Sequence, residues 1–172
     1  MQENKLIKAL VLNAQLGNNS AFEQLYQMTV PQIYILTVRL SGGLTLAGTL
    51  TKKTYVNAWQ KISQKDEKTT FLNWLKIIAA STVLEEMGRN TLEKISSEND
   101  PQTKENEEVF FNQQPLEKAI RALEFVDRFV LILHDLENLS FEIINKITSL
   151  SINDLRSKLM RSRENLMIIV EE

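Results

Sequence analysis

The stretch LSFEIINKITSLSINDLRSKLMRSRENL, residues 139–166, decides the fold of the C-terminal part of the chain. Ser140 is a favourable N-cap for a short helix, and a turn at residues 148–150 follows it. The apolar residues of this short helix share one face and are Ile143, Ile144 and Ile147. Ser151 then caps a longer helix, with Asp154 at the N3 position of a capping box. The pattern predicts a helix-turn-helix.

The second helix of this pair has an apolar side and a cationic side. Its apolar residues recur at helical intervals and are Leu155, Leu159, Leu166 and Ile169. Its candidate contacts with nucleic acid are Ser151, Asn153, Arg156, Ser157, Lys158, Arg161 and Arg163. A helix of this kind can enter the major groove of DNA. Many cationic helix faces are solvated surfaces that bind no nucleic acid. The pattern by itself therefore leaves open whether this face contacts DNA or only solvent.

Composition excludes several classes of function. The chain has 172 residues, of which 43% are hydrophobic and 24% charged, as in an ordinary globular protein. It has no cysteine and a single histidine, His134, so we expect no disulfide, no metal site and no Ser-His triad. Adjacent acids such as Glu85 and Glu86 diverge on a helix instead of converging on a substrate. We therefore expect no enzyme, no cofactor and no small-molecule substrate.

The sequence also lacks the signals of a membrane protein. No apolar run approaches the roughly 18 residues that a membrane span needs, and the N-terminus MQENKLIKAL does not have the organisation of a signal peptide. We expect a cytoplasmic protein without membrane insertion.

Helical periodicity and charge divide the chain into three parts, and no stretch alternates with period two. Residues 1–90 carry ten Lys or Arg and six Asp or Glu, residues 91–114 carry two and six, and residues 115–172 carry eight and ten. The sequence therefore predicts an all-α protein with two small helical domains, 1–90 and 115–172, joined by a flexible acidic linker at 91–114.

The first domain is expected to contain four helices. The first helix should stop at Gly17, and Ser20 with Glu23 has the spacing of a capping box for the second helix. Pro31 should interrupt or restart that second helix, because proline lacks the N–H group that the helix interior uses.

From Leu116 to Leu166 the chain resembles, without a gap, the C-terminal domain of extracytoplasmic-function sigma factors, the small promoter-recognition subunits of bacterial RNA polymerase. The resembling residues are Leu123, Arg128, Val130, Leu131, Leu133, Glu137, Leu139, Ser140, Phe141, Glu142, Ile144, Ile147, Leu155, Arg156, Ser157, Lys158, Leu159, Arg161, Arg163 and Leu166. The N-terminal part resembles the other domain of the same family, at Gly17, Ala21, Phe22, Leu25, Tyr26, Pro31, Tyr34, Arg39, Ala47, Leu50, Tyr55, Ala58, Trp59, Phe71, Trp74, Leu75, Ile78 and Ala79.

The resemblance implies that the first domain (region 2) docks on core RNA polymerase and opens the −10 promoter element, while the second (region 4) contacts the −35 element. It places the polymerase-docking face at Thr49, Leu50, Lys52, Lys53 and Tyr55. It places the −10-type contacts at Asn73, Trp74, Lys76, Ser81 and Arg89. It implies an anti-sigma factor as a further partner.

This sequence departs from the family pattern at several of those positions. Thr49, Lys52 and Lys53 stand where the family usually has Asp, Gln and Glu on the docking helix, so the sign of its charge is reversed. Ser149 replaces the glycine of the turn and must adopt that glycine's backbone geometry at some strain, or form a different turn. Asp154 would repel phosphate. The four cations of the second helix neutralise at most about four phosphates, which predicts a log–log salt slope of about −3.6.

Three hypotheses follow. The first is a sigma factor that initiates transcription, and replacing Arg156 or Arg161 by Ala should then weaken promoter binding. The second is a degenerate sigma-like protein that acts through protein-protein interaction, for example as a decoy for an anti-sigma factor. Binding to core polymerase separates these two. The third is a helix-turn-helix repressor, which requires a symmetric dimer to span paired half-sites.

Overall fold

A computed structural model describes residues 5–93 and 115–171, with side chains at 5–88 and 115–168. All regular secondary structure in these ranges is helical, which confirms the predicted all-α class. The first domain contains α1 (Lys5–Gln15), α2 (Asn19–Ser41), α3 (Leu44–Lys61), a short 3₁₀ turn (Ile62–Gln64) and α4 (Phe71–Glu93). The second contains α5 (Pro115–Ala122), α6 (Phe125–Leu131), a π-helical turn (Ile132–Leu136), α7 (Phe141–Thr148) and α8 (Ile152–Glu171).

Helix α2 is the centre of the first domain, since α1, α3 and α4 all pack against it. It begins one residue before Ser20, because the Asn18 side chain accepts a hydrogen bond from the Ala21 N–H at 3.1 Å; the predicted Ser20–Glu23 cap is therefore wrong. It also continues through Pro31, against our expectation of a break. Pro31 is exposed, and the turns on both sides of it are held by fully buried residues such as Leu25 and Ile33, whose packing outweighs the lost hydrogen bond.

Local signals at several other helix ends are confirmed, whereas Ser140 stands at the N-cap of α7 without a side-chain capping hydrogen bond. Helix α1 ends before Gly17, which has a φ of +87°. Ser149 ends α7 in the left-handed conformation, with φ +61° and ψ +11°, so it does adopt the geometry that glycine provides at lower cost. The Asp154 N–H donates to Ser151 Oγ at 3.1 Å, which is one of the two hydrogen bonds of the predicted capping box, while the Asp154 carboxylate accepts from Ser151 Oγ, at 2.6 Å, instead of from the Ser151 backbone N–H.

Helix α4 extends to Glu93, three residues into the segment predicted as a linker, and the remainder of that segment, 94–114, lies outside the described residues. The two domains pack on each other: α7 lies against α4, and α5 and α6 lie against α2. Their buried apolar residues form one continuous core. None of the described helices is long and apolar enough to cross a membrane.

Candidate DNA and polymerase interfaces

Helix α8, which carries the candidate −35-type contacts, is fixed to its domain along one side. Leu155, Leu159 and Ser162 are buried on this side, and α6 packs against it. The Ser162 hydroxyl lies 2.7 Å from the Lys158 carbonyl and 3.0 Å from the Asp127 carbonyl, within hydrogen-bonding distance of both. Sequence analysis missed Ser162, although its position three residues after Leu159 continues the apolar stripe.

Two of the four cations share one acid. Arg161 donates two hydrogen bonds of 2.7 Å to the Asp127 carboxylate, and Lys158 Nζ lies 3.5 Å from it. Asp127 is only 2% exposed. Burial alone would raise the pKa of Asp127, but the hydrogen bonds and charge of Arg161, with the charge of Lys158, outweigh burial and lower it. Asp127 thus ties α6 to α8 and neutralises part of the predicted DNA face.

A third cation, Arg163, is held by Asp135 of the π-helical turn. Its guanidinium donates to the two Asp135 carboxylate oxygens at 2.8 and 2.7 Å. These hydrogen bonds are the main reason that the pKa of Asp135 is lowered. His134 Nδ1 also lies 2.8 Å from Asp135, and its ring stacks on Phe141 at a centroid distance of 4.4 Å.

Arg156 is the one cation of the four that forms no carboxylate ion pair within the described part of the chain. It is exposed, and its guanidinium lies 5.8 Å from the centre of the Phe141 ring. Asn153 and Ser157 are also exposed on the N-terminal half of α8, as is Ser151, whose hydroxyl is bonded to Asp154. This half is therefore the part of the predicted face with the fewest ion pairs, and Arg156, Asn153 and Ser157 are its exposed polar groups.

The candidate −10-type residues on α4 do not form one open face. Asn73 is exposed, whereas Trp74 is half-buried beside Phe71. Lys76 forms a 2.6 Å ion pair with Glu137 of the second domain, and its side chain is 17% exposed. Ser81 lies on α4, and its hydroxyl donates to the Ile77 carbonyl at 3.0 Å. The Arg89 side chain lies outside the described residues.

The predicted polymerase-docking face needs a correction. Leu50 and Tyr55 are buried in the core of the first domain, so neither can touch a partner. The Tyr55 hydroxyl lies 2.8 Å from Thr29 Oγ1, and burial raises the pKa of Tyr55 to about 12. The sequence resemblance could not separate these core positions of α3 from its exposed positions.

The exposed side of α3 keeps the other three predicted docking residues, Thr49, Lys52 and Lys53. A groove runs between this side and α4, lined by Thr49, Lys52, Lys53, Val56, Asn57, Thr82, Glu85 and Glu86. Lys53 Nζ lies 2.7 Å from Glu86 across the groove, and Asn57 Nδ2 donates to Thr82 Oγ1 at 3.0 Å.

No family model matches the sequence. The chain is 26% identical over 155 residues to the extracytoplasmic-function RNA polymerase sigma factor SigE of Mycolicibacterium smegmatis. This match covers 85% of the chain, which spans 60% of the length of that relative.

Two solved structures share the fold. The sigma factor RpoE of Bartonella quintana, solved with the anti-sigma factor NepR, superposes with a TM-score of 0.66 at 21% identity, over 87% of this chain and 96% of RpoE. CnrH, solved with the cytosolic domain of CnrY, gives a TM-score of 0.59 at 18% identity, over 97% of this chain and 98% of CnrH. The resemblance predicted from the sequence is confirmed, and the chain has the all-helical, two-domain fold of an extracytoplasmic-function sigma factor.

Proposed function

We propose that this chain is a sigma-factor-like transcription initiation protein that binds core RNA polymerase and promoter DNA and has no catalytic chemistry of its own. The observation that carries the proposal is the exposed N-terminal half of α8, which presents Asn153, Arg156 and Ser157 from a helix-turn-helix whose second helix is capped by Ser151. The sequence match to SigE over most of the chain supports it.

The chemistry of this half of α8 suits the edges of bases. A guanidinium such as that of Arg156 can donate two hydrogen bonds to guanine, and an amide such as that of Asn153 can pair with adenine. Each good contact of this kind discriminates by about 1–3 kcal/mol. The Phe141 ring lies next to the Arg156 guanidinium and restricts the rotamers of the Arg156 side chain, so that this side chain loses less conformational entropy when it binds.

Replacement of Arg156 by Ala should therefore weaken binding to a −35-type duplex by about 10- to 100-fold. Lys118→Ala is the control, because Lys118 is exposed on α5 and lies outside the proposed face. Equal affinities of wild type and Arg156→Ala, measured by fluorescence anisotropy, would show that α8 does not recognise this DNA.

Polymerase docking is assigned to the exposed side of α3. Leu46, Thr49, Lys53, Val56 and Gln60 are spaced 3-4-3-4 along this side, as in a helix that packs on a coiled coil. Helix α3 carries three lysines and no acid, so we expect acidic residues on the partner helix where it meets Lys53.

Titration of the full chain against core RNA polymerase at moderate salt tests this assignment. The double variant Lys52→Glu, Lys53→Glu should lose affinity, while Lys5→Glu, Lys8→Glu, with the same change in net charge on α1, should not. Failure of the wild type to bind would overturn the initiation role.

One observation favours a second function, a decoy that binds an anti-sigma factor. Met160, Met167 and Ile168 of α8 are exposed by 62%, 62% and 58%. The two methionines line a groove with His134, Phe141, Arg156 and Arg163, so an amphipathic partner helix bound there would cover the same arginine, Arg156, that is proposed to contact DNA. Binding of an anti-sigma factor without binding of core polymerase would favour this alternative.

A further inference from the structure

The carboxylate of Asp154 is not needed to start α8. The N-cap hydroxyl of Ser151 accepts its hydrogen bond from the backbone N–H of Asp154, which any residue other than proline would supply at this position. In return, the Ser151 hydroxyl donates to the Asp154 carboxylate at 2.6 Å and restricts its orientation. The side chain of residue 154 is therefore held by the cap without being required for it.

The rest of this carboxylate is unused. No other polar group bonds to it within the part of the chain that the structure describes. Its natural ion-pair partner would be Lys158, which lies one helical turn later. Lys158 Nζ instead lies 3.5 Å from the carboxylate of Asp127 on α6. An exposed acid is thus left on the half of α8 that is proposed to meet DNA, where it repels phosphate unless a base donates a hydrogen bond to it.

Asp154 and Arg156 lie on opposite flanks of the exposed face of α8, because residues two apart in an α-helix are separated by about 200° around its axis. Asp154 lines a groove with Ser157 and Lys158. Arg156 lines a different groove, on the Phe141 side of the helix. A helix about 10–12 Å in diameter fills a major groove that is about 12 Å wide, so its two flanks face different strands. Asp154 and Arg156 can therefore each meet a base, on opposite strands.

A carboxylate in this position distinguishes the four bases by their hydrogen-bonding groups. It can only accept hydrogen bonds. In the major groove, cytosine presents the N4 amino group, which is a donor, whereas guanine and thymine present acceptors that a carboxylate repels. Adenine presents a donor beside an acceptor, N7, which a carboxylate cannot satisfy. Cytosine is therefore the base that suits Asp154 best.

We propose that Asp154 is a specificity-determining residue, which selects cytosine at one position of the −35-type element by accepting a hydrogen bond from its N4 amino group. The cytosine lies on the strand opposite to the base that Arg156 contacts. This inference rests on the proposed function, because it names a base that the proposed DNA face recognises.

The test is a selection from a pool of duplexes whose central base pairs are randomised. The pool is offered at moderate salt to the full chain, alone and with core RNA polymerase, and the bound duplexes are sequenced. Wild type is compared with Asp154→Asn, Asp154→Ser and Glu164→Gln. Glu164 is exposed on α8 about 15 Å further along the helix axis, so Glu164→Gln gives the same change in net charge as Asp154→Asn, away from the proposed base. Circular dichroism checks that all four proteins have the same helix content.

We expect wild type and Glu164→Gln to enrich cytosine at one position by about tenfold over the other bases. Asp154→Ser should lose this preference. Asp154→Asn should prefer adenine at the same position, because an amide pairs with both N6 and N7 of adenine. Preferences at the other positions should stay unchanged.

Two results would overturn the inference while leaving the proposed function intact. One is that either variant of Asp154 selects the same sequences as wild type. The other is that both variants bind all duplexes more tightly by an equal factor, since Asp154 would then act only as a repulsive charge. If wild type selects no sequence, with or without core polymerase, the proposed recognition of promoter DNA is overturned together with the inference.

Discussion

Neutralising Asp135 should make DNA binding more sensitive to salt. Three of the four predicted cations of α8 form ion pairs with two acids, Asp127 and Asp135, which leaves a net local charge of +2. Counterion release then gives wild-type protein a log–log salt slope of about −1.8 instead of the −3.6 or so expected from the sequence. Replacement of Asp135 by Asn frees Arg163 and should change the slope to about −2.7.

The effect is measurable, because a slope change of about 0.9 means that an approximately fourfold rise in salt costs the variant about 3.5 times more affinity than it costs wild type. Fluorescence anisotropy with a −35-type duplex at several salt concentrations gives both slopes. Glu67→Gln, an exposed loop position of the first domain, is the control with the same change in net charge. Asp135→Asn should cost at most about 1 kcal/mol of stability, since Arg163 is largely exposed. Equal slopes in all three proteins would show that Arg163 lies away from the DNA; a wild-type slope near the larger value would show that all four cations leave their acids on binding.

Three further predictions concern stability. Ser149→Gly should raise the free energy of unfolding by about 0.5–1 kcal/mol in urea titrations, because glycine adopts the left-handed backbone conformation of residue 149 without the strain that serine has there. Tyr55→Phe should lower the free energy of unfolding by about 1 kcal/mol, because it removes the buried hydroxyl and its hydrogen bond with Thr29. In the wild type, the pKa of Tyr55 is raised in the folded state, so the free energy of unfolding should also fall as pH rises from 10 to about 12. The lowered pKa values of Asp127 and Asp135 predict stability that is fully present above the ordinary carboxyl pKa of 3.8 and is lost as pH falls below it, and Asp135→Asn should reduce this loss in acid unfolding followed by circular dichroism.

Features encoded by neighbouring residues could be predicted from the sequence. The cap of Ser151 on the Asp154 N–H needs only residues three apart, and the left-handed conformation of Ser149 was one of the two alternatives that the family's turn glycine left open. The break expected at Pro31 was wrong, because a local rule ignores the packing that holds both halves of α2.

The electrostatic state of α8 could not be predicted in the same way. Its partners Asp127 and Asp135 lie 34 and 28 residues before the arginines that they bind, and only the packing of α6 and the π-helical turn against α8 brings them together. The same is true of Lys76, which periodicity places on a helix face but which pairs with an acid from the other domain. Helix type is a local property, whereas the charge that a face presents depends on long-range contacts.

The π-helical turn at Ile132–Leu136 sets the angular register of everything that follows it. Its wider winding, closed by the Glu137 N–H bonding to the Ile132 carbonyl at 2.9 Å, contains one residue more than an α-helical turn would. Deletion of one residue here would rotate the following side chains by about 100° around the helix axis. Asp135 would then point away from Arg163, and Glu137 away from Lys76. A single extra residue therefore determines both the charge that α8 presents to DNA and the ion pair that joins the two domains.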